Sequence, residues 1–150
     1  MTGRKPTPLD ELAAVELFDH CTGRELAMID GLSTVVALPA DRPVCRQGEF
    51  GRQFFVVRDG SFDVDRDGER IRALHAGDWF GEIALSLRCG RVATVTSSTP
   101  ATLLVFSARE YWSLRATCPE VASGIDAAMQ DRLDELRAMS AAPLAIPALG

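Results

Sequence analysis

A chain of 150 residues, 47% hydrophobic and 25% charged, has the length of one domain and the composition of a globular chain with a real core. Its formal net charge of −5 argues against a non-specific nucleic-acid or membrane surface, since both attract basic proteins. No apolar run approaches membrane-spanning length, and the polar stretch Met1–Asp10 carries no visible signal. Cys21, Cys45, Cys89 and Cys118 form no CxxC and no zinc-like group with His20 or His75, so the expectation is a cytoplasmic protein with reduced thiols.

In chain order, residues 1–8 read as a disordered arm. Thr7-Pro8-Leu9-Asp10 is a helix start, with Thr at the cap and Pro in the first turn. Leu9, Leu12, Ala13 and Leu17 then share one helical face, widened by Val15 and Phe18. Thr22-Gly23-Arg24-Glu25 is a capping pattern that opens a second helix. From Ser33 the pattern shifts to short strands: Ser33–Pro39, Val44–Arg46, Phe54–Val57 and Phe62–Asp65. Asp59-Gly60 and Asp67-Gly68 are tight-hairpin signals, and Gln47–Gly51 is a glycine-punctuated corner. Strands broken this often by turns point to a sandwich or barrel. Ala101–Phe106 is the last strand, and Ser107-Ala108-Arg109-Glu110 is a capping box whose helix places Tyr111 and Trp112 in the core. Thr117-Cys118-Pro119-Glu120 caps a final helix with the stripe Val121, Ile125, Met129, Leu133 and Leu136. Residues 140–150 read as a flexible tail.

The chemically distinctive stretch lies between these strands. Phe80-Gly81-Glu82-Ile83-Ala84-Leu85 goes from an extended aromatic segment into good helix formers, and Arg91-Val92-Ala93-Thr94-Val95 re-enters a strand. Glycine at such a corner permits a sharp turn and close ligand approach. The first amides of a short helix beginning near Glu82 have no intrahelical acceptor, and an arginine fork converging with them suits a phosphate. A carboxylate at the same place accepts a hydrogen bond from a sugar hydroxyl, so the set describes a site for a ribose phosphate. The residues alone leave a second reading open: Glu82 as a helix-start acid favoured by the dipole, paired structurally with Arg91.

This gapped pattern closely resembles the phosphate-binding cassette of cyclic nucleotide-binding domains, F-G-E-[LI]-A-L followed after a short loop by R-x-A-T-V. The resemblance implies a mainly β fold with flanking helices: a jelly-roll-like β-roll with N-terminal helices, a short cassette helix and C-terminal helices, covering 9–139. It implies that Glu82 binds the ribose 2′-hydroxyl, that Arg91 binds the cyclic phosphate, and that the amides of Ile83 and Ala84 donate to it. The expected ligand-binding set is Gly81, Glu82, Ile83, Ala84, Arg91, Val92 and Ala93, with no catalytic residue, metal or cofactor beyond the ligand. Members of the family often carry Pro before the arginine; Gly90 stands there in this chain. Members selective for cGMP tend to place Thr directly after the arginine, and Val92 offers no such hydroxyl, which favours cAMP. The C-terminal helix is then a lid and signal output, with Met129 or Leu133 over the base, and also a surface for an effector protein or homodimer; packing on the barrel accounts for its stripe equally well. Cys89, beside Arg88 and Arg91, is a candidate for a lowered thiol pKa. The competing functions are a cGMP-binding domain, a nucleotide-free interaction module on the same fold, and a metal enzyme on a similar roll, which needs more clustered ligands than two distant histidines supply.

Overall fold

The computed structural model describes residues 8–139. Helix α1 (Pro8–Ala13), a 3-10 turn (Glu16–Phe18) and α2 (Gly23–Leu32) precede eight strands. These are β1 (Thr34–Leu38), β2 (Pro43–Cys45), β3 (Gln53–Asp59), β4 (Phe62–Arg66), β5 (Glu69–Leu74), β6 (Trp79–Phe80), β7 (Thr94–Ser97) and β8 (Ala101–Ser107). Helix α3 (Glu82–Leu87) interrupts them between β6 and β7, and α4 (Ala108–Thr117) and α5 (Pro119–Met139) follow. The strands form two four-stranded antiparallel sheets, ordered β1-β8-β3-β6 and β2-β7-β4-β5, the β-roll expected from the sequence.

The unbroken run Phe54-Phe55-Val56-Val57 is explained by burial on both faces of β3. Phe54 and Val56 join Leu104 and Phe106 of β8 in a core shared with α2, α4 and the first half of α5. Phe55 and Val57 point the other way and meet Phe62, Phe80, Leu103 and Val105 between the sheets. A third cluster joins Ile83, Leu87 and Cys89 around α3 to Leu133 and Leu136 of α5. The stripe of α5 is therefore divided: Val121 and Ile125 belong to the first core, and Leu133 and Leu136 to the third.

Both capping boxes form: Thr22 Oγ1 accepts from the Glu25 amide at 3.1 Å, and Ser107 Oγ accepts from the Glu110 amide at 3.2 Å. The cap read at Thr7 lies outside the described residues, as do 1–7 of the arm and the whole tail. Three sequence expectations need correction. The first helix does not run on to Phe18: it ends at Ala13, Val15 is extended (φ −75°, ψ 123°), and a 3-10 turn carries Phe18 into the core that Leu12 and Val15 also enter. Asp67-Gly68 does make a hairpin, both residues at positive φ (53° and 81°) between the paired β4 and β5. Asp59-Gly60 does not: β3 and β4 lie in different sheets, and Gly60 (φ 86°) is a crossing corner where a Cβ would sit 2.5 Å from the Pro100 carbonyl. Finally, Tyr111 is fully buried but Trp112 is 45% exposed, because the aromatics are adjacent on α4 and only one faces the core.

Candidate functional site

Strand β6 pairs with β3 through Phe80 opposite Phe55, whose rings stack at 4.7 Å. The chain then turns at Gly81 (φ 99°), where a Cβ would lie 2.7 Å from the Gln53 carbonyl oxygen. Only glycine fits that corner without strain. It launches α3, which Arg88 closes in the left-handed conformation (φ 52°). A hydrogen bond of 2.8 Å between the hydroxyls of Ser86 and Tyr111 ties α3 to α4.

Arg91 is 7% exposed. Its amide donates to the Glu49 carbonyl at 2.9 Å, and its own carbonyl accepts from the Gly48 amide at 2.8 Å. Its guanidinium donates to the carbonyls of Gly81 (3.2 Å) and Gln53 (2.9 Å) and lies 5.7 Å from the Phe55 ring centroid. No carboxylate forms an ion pair with it among the described residues. Burial of a cation held only by neutral acceptors is costly, and an anion beside it would offset that cost.

Glu82 is 1% exposed and pairs with Arg132 of α5, not with Arg91. Arg132 also donates to the Trp79 carbonyl at 2.8 Å and lies over the Trp79 ring. A second ion pair, Arg72 of β5 with Glu135, fastens α5 to the opposite sheet. Between these contacts lies a cavity lined by Glu82, Arg91, Arg72, Arg132 and Glu135 and by apolar side chains including Val64, Ile71, Leu74 and Leu136. Gly81, Glu82, Ile83, Ala84, Arg91, Val92 and Ala93 all line it. Cys45 also reaches it, and burial pushes that thiol up to about 11.

Arg132, Glu135 and Arg72 were not among the residues named from sequence, and Leu136 was named in the C-terminal stripe but not in the ligand-binding set. The available signal was slight: Arg132 and Arg137 both flank the α5 stripe, and only the packing separates the buried pair from the exposed one. Leu133 and Met129 are in the cluster against α3, and among α5 residues Arg132, Glu135 and Leu136 line the cavity. For Cys89 the expected direction is reversed. Burial raises its pKa and outweighs the opposing charge of Arg91. No group of three or more His, Cys, Asp or Glu side chains suited to a metal occurs among the described residues.

The two sheets and the short helix between β6 and β7 define a β-roll with an interior cavity that carries buried charges of both signs and is covered by the C-terminal helix. The family model for the cyclic nucleotide-binding domain matches residues 35–118, more than half of the chain. The protein belongs to the cyclic nucleotide-binding domain family. It is 34% identical over 114 residues to a cyclic nucleotide-gated potassium channel of Rhizobium etli, covering 76% of this chain and 32% of that one. It is 37% identical over 101 residues to a cAMP-dependent protein kinase regulatory subunit of Colletotrichum trifolii, covering 59% and 25% respectively. The chain therefore spans about a quarter to a third of the length of these relatives. Among solved structures it is similar to the catabolite activator protein of Thermus thermophilus, with TM-score 0.73, 24% identity, and coverage of 82% of this chain and 60% of that one. No helix among the described residues is long and apolar enough to cross a membrane.

Proposed function

We propose that this chain is a non-catalytic cAMP sensor domain, spanning 9–139 and working in the cytoplasm. The observation that carries the reading is the buried Arg91 guanidinium, held by two carbonyls and no carboxylate, in one cavity with Glu82. The cyclic phosphate docks on Arg91, whose planar fork suits it, and on the Ile83 and Ala84 amides that open α3. Glu82 gives one oxygen to Arg132, and a carboxylate has further lone pairs with which to accept the ribose 2′-hydroxyl. The base lies toward the apolar wall of Val92, Ile71 and Leu136. Val92 presents no hydroxyl to a guanine, which favours cAMP over cGMP. Helix α5, fastened across the cavity by Arg132 and Glu135, is the lid and the output, read by an effector protein or a second copy. The similarity to a cyclic nucleotide-gated channel and to a cAMP-dependent kinase regulatory subunit supports this reading.

The test is calorimetric titration of the stripped protein with cAMP and then cGMP, beside Arg91→Ala. Removing one partner of a buried charge pair costs about 3–5 kcal/mol, so Arg91→Ala should weaken cAMP on the order of a hundredfold or more. Wild-type affinity in Arg91→Ala overturns the assignment of the phosphate site. No heat with either nucleotide from empty, folded protein favours the nucleotide-free interaction module instead.

A further inference from the structure

A second feature lies on the outer side of the same cassette. Phe50 is 87% exposed and Trp112 is 45% exposed. They border one groove, floored by Ala84, Leu85 and Cys89. Single exposed hydrophobic side chains are ordinary, but two aromatics bordering one groove have the composition of an interface.

The loop that carries Phe50 is fastened at several points. The Gly48 amide donates to the Arg91 carbonyl at 2.8 Å, the Arg91 amide to the Glu49 carbonyl at 2.9 Å, and the Gln47 amide to Thr94 Oγ1 at 3.0 Å. The Gln47 side chain is tied to Asp67 through both its amide nitrogen (2.8 Å) and its oxygen (2.9 Å). Trp112 is braced by Tyr111, edge-on at 5.2 Å, and by Arg115, 5.5 Å from its ring centroid. Both aromatics are thus presented on fastened supports, which lowers the ordering cost of docking.

The charge around them is one-sided. Arg52, Arg88 and Arg109 border the groove and are exposed. None has a carboxylate partner among the described residues. Elsewhere Arg58, Arg70, Arg72, Arg115 and Arg132 are each paired with an acid on another element or a neighbouring strand; Arg24, Arg42 and Arg46 are exposed without an ion pair among the described residues but do not border the groove. Glu49 is the acid next to Phe50 in the loop; Glu110, at the start of α4, is occupied in its capping box. In a chain of net charge −5, three unpaired arginines around two exposed aromatics are a local inversion of charge.

We infer that this groove docks an acidic protein segment with an aromatic or aliphatic anchor, the anchor seated between Phe50 and Trp112 and flanking carboxylates on Arg52, Arg88 and Arg109. Aromatic anchors supply the affinity and the arginines the orientation and on-rate. An anionic bilayer is the weaker fit, because the chain as a whole repels it. The floor of the groove is α3 and its cap, and the rim loop is bonded to the backbone of Arg91. The docking face and the cavity therefore share a wall.

The test is a displayed library of random linear peptides panned against the full chain, stripped of nucleotide so that failure of the nucleotide reading does not touch the result. Phe50→Ser, Trp112→Ser and Arg88→Glu, each checked by thermal melting, serve as comparison baits. The expected outcome is enrichment of Phe-, Trp- or Leu-centred peptides flanked by Asp or Glu. A selected peptide, titrated by fluorescence anisotropy, should bind Phe50→Ser roughly thirtyfold more weakly. Arg88→Glu should cost about tenfold, and the loss should shrink as salt is raised. The inference is overturned by no enriched family, by enrichment without acidic residues, or by binding that ignores both Phe50→Ser and Arg88→Glu. Phe50-dependent sedimentation with phosphatidylserine vesicles, in the absence of peptide enrichment, also overturns it and makes the groove a lipid contact.

Discussion

Arg132 makes a quantitative case for how α5 is held. It joins α5 to the cassette through Glu82, to β6 through the Trp79 carbonyl, and to the Trp79 ring by stacking. Arg132→Ala removes all three and strands a carboxylate whose side chain is 2% exposed. Breaking a buried pair costs about 3–5 kcal/mol. The Arg132 side chain is 18% exposed, so water can follow its removal toward Glu82, and the lower end, about 3 kcal/mol, is expected. For a domain of this size that lowers Tm by about 10 °C. The assay is thermal unfolding of nucleotide-free protein by circular dichroism at fixed pH, on wild type, Arg132→Ala, Glu82→Gln and the double variant. Glu82→Gln removes the charge without emptying the site, so the double variant should cost less than the sum of the singles by about 2 kcal/mol. Additivity within about 0.5 kcal/mol would refute the pairing of Glu82 with α5.

Two further outcomes follow from the cavity wall. A Cβ on Gly51 would lie 1.8 Å from Arg91 Nε, so Gly51→Ala should expel the guanidinium from its place between the Gly81 and Gln53 carbonyls. Loss of one charge-assisted contact is worth about 1.5–3 kcal/mol, and cAMP titration should show on the order of tenfold weaker binding or more; unchanged affinity would mean that the guanidinium does not hold the ligand. The Cys45 thiol is raised from 9.0 to about 11 by burial, so between those values the folded state holds the proton that the unfolded state has lost. Its contribution is intact below pH 9 and falls away as pH rises toward 11, by about 2–3 kcal/mol in all. Stability measured against pH by urea unfolding should fall less steeply over that window in Cys45→Ala, and parallel profiles would contradict the assignment.

The cassette was legible because its geometry is written locally. A positive φ at Gly81 demands glycine, both central residues of the Asp67-Gly68 turn sit at positive φ, and each capping box needs a hydroxyl and a glutamate three residues apart. What the sequence did not disclose depends on elements far apart in the chain. Glu82 meets Arg132 across fifty residues, and Arg91 finds one of its two acceptors, the Gln53 carbonyl, at the start of β3; local pattern ranks neither above other pairings of the same groups. Asp59-Gly60 carries the same dipeptide as a hairpin turn, yet β3 and β4 pair with different neighbours. Adjacent aromatics on α4 divide between core and solvent because helical geometry places neighbours about 100° apart. The division of the α5 stripe between two clusters is equally invisible to periodicity, which reports that a face is buried and not against what.

The separation of Glu82 from Arg91 has an electrostatic consequence. If the two were paired, the cavity would hold a closed ion pair, and a ligand would have to break it. Instead the charged groups lining the cavity resolve into two internal pairs, Glu82 with Arg132 and Glu135 with Arg72, and one guanidinium left over. The cavity therefore carries one uncompensated positive charge before any ligand arrives. A ligand with a single negative charge neutralises it; a neutral ligand leaves a buried cation without a counter-ion, and a dianion leaves an excess of the other sign, both of which burial penalises. A cyclic phosphodiester carries one negative charge where a terminal phosphate carries nearly two. The pairing of Glu82 with α5 thus keeps that carboxylate from neutralising Arg91 while leaving it on the cavity wall, with lone pairs that can still accept from a hydroxyl.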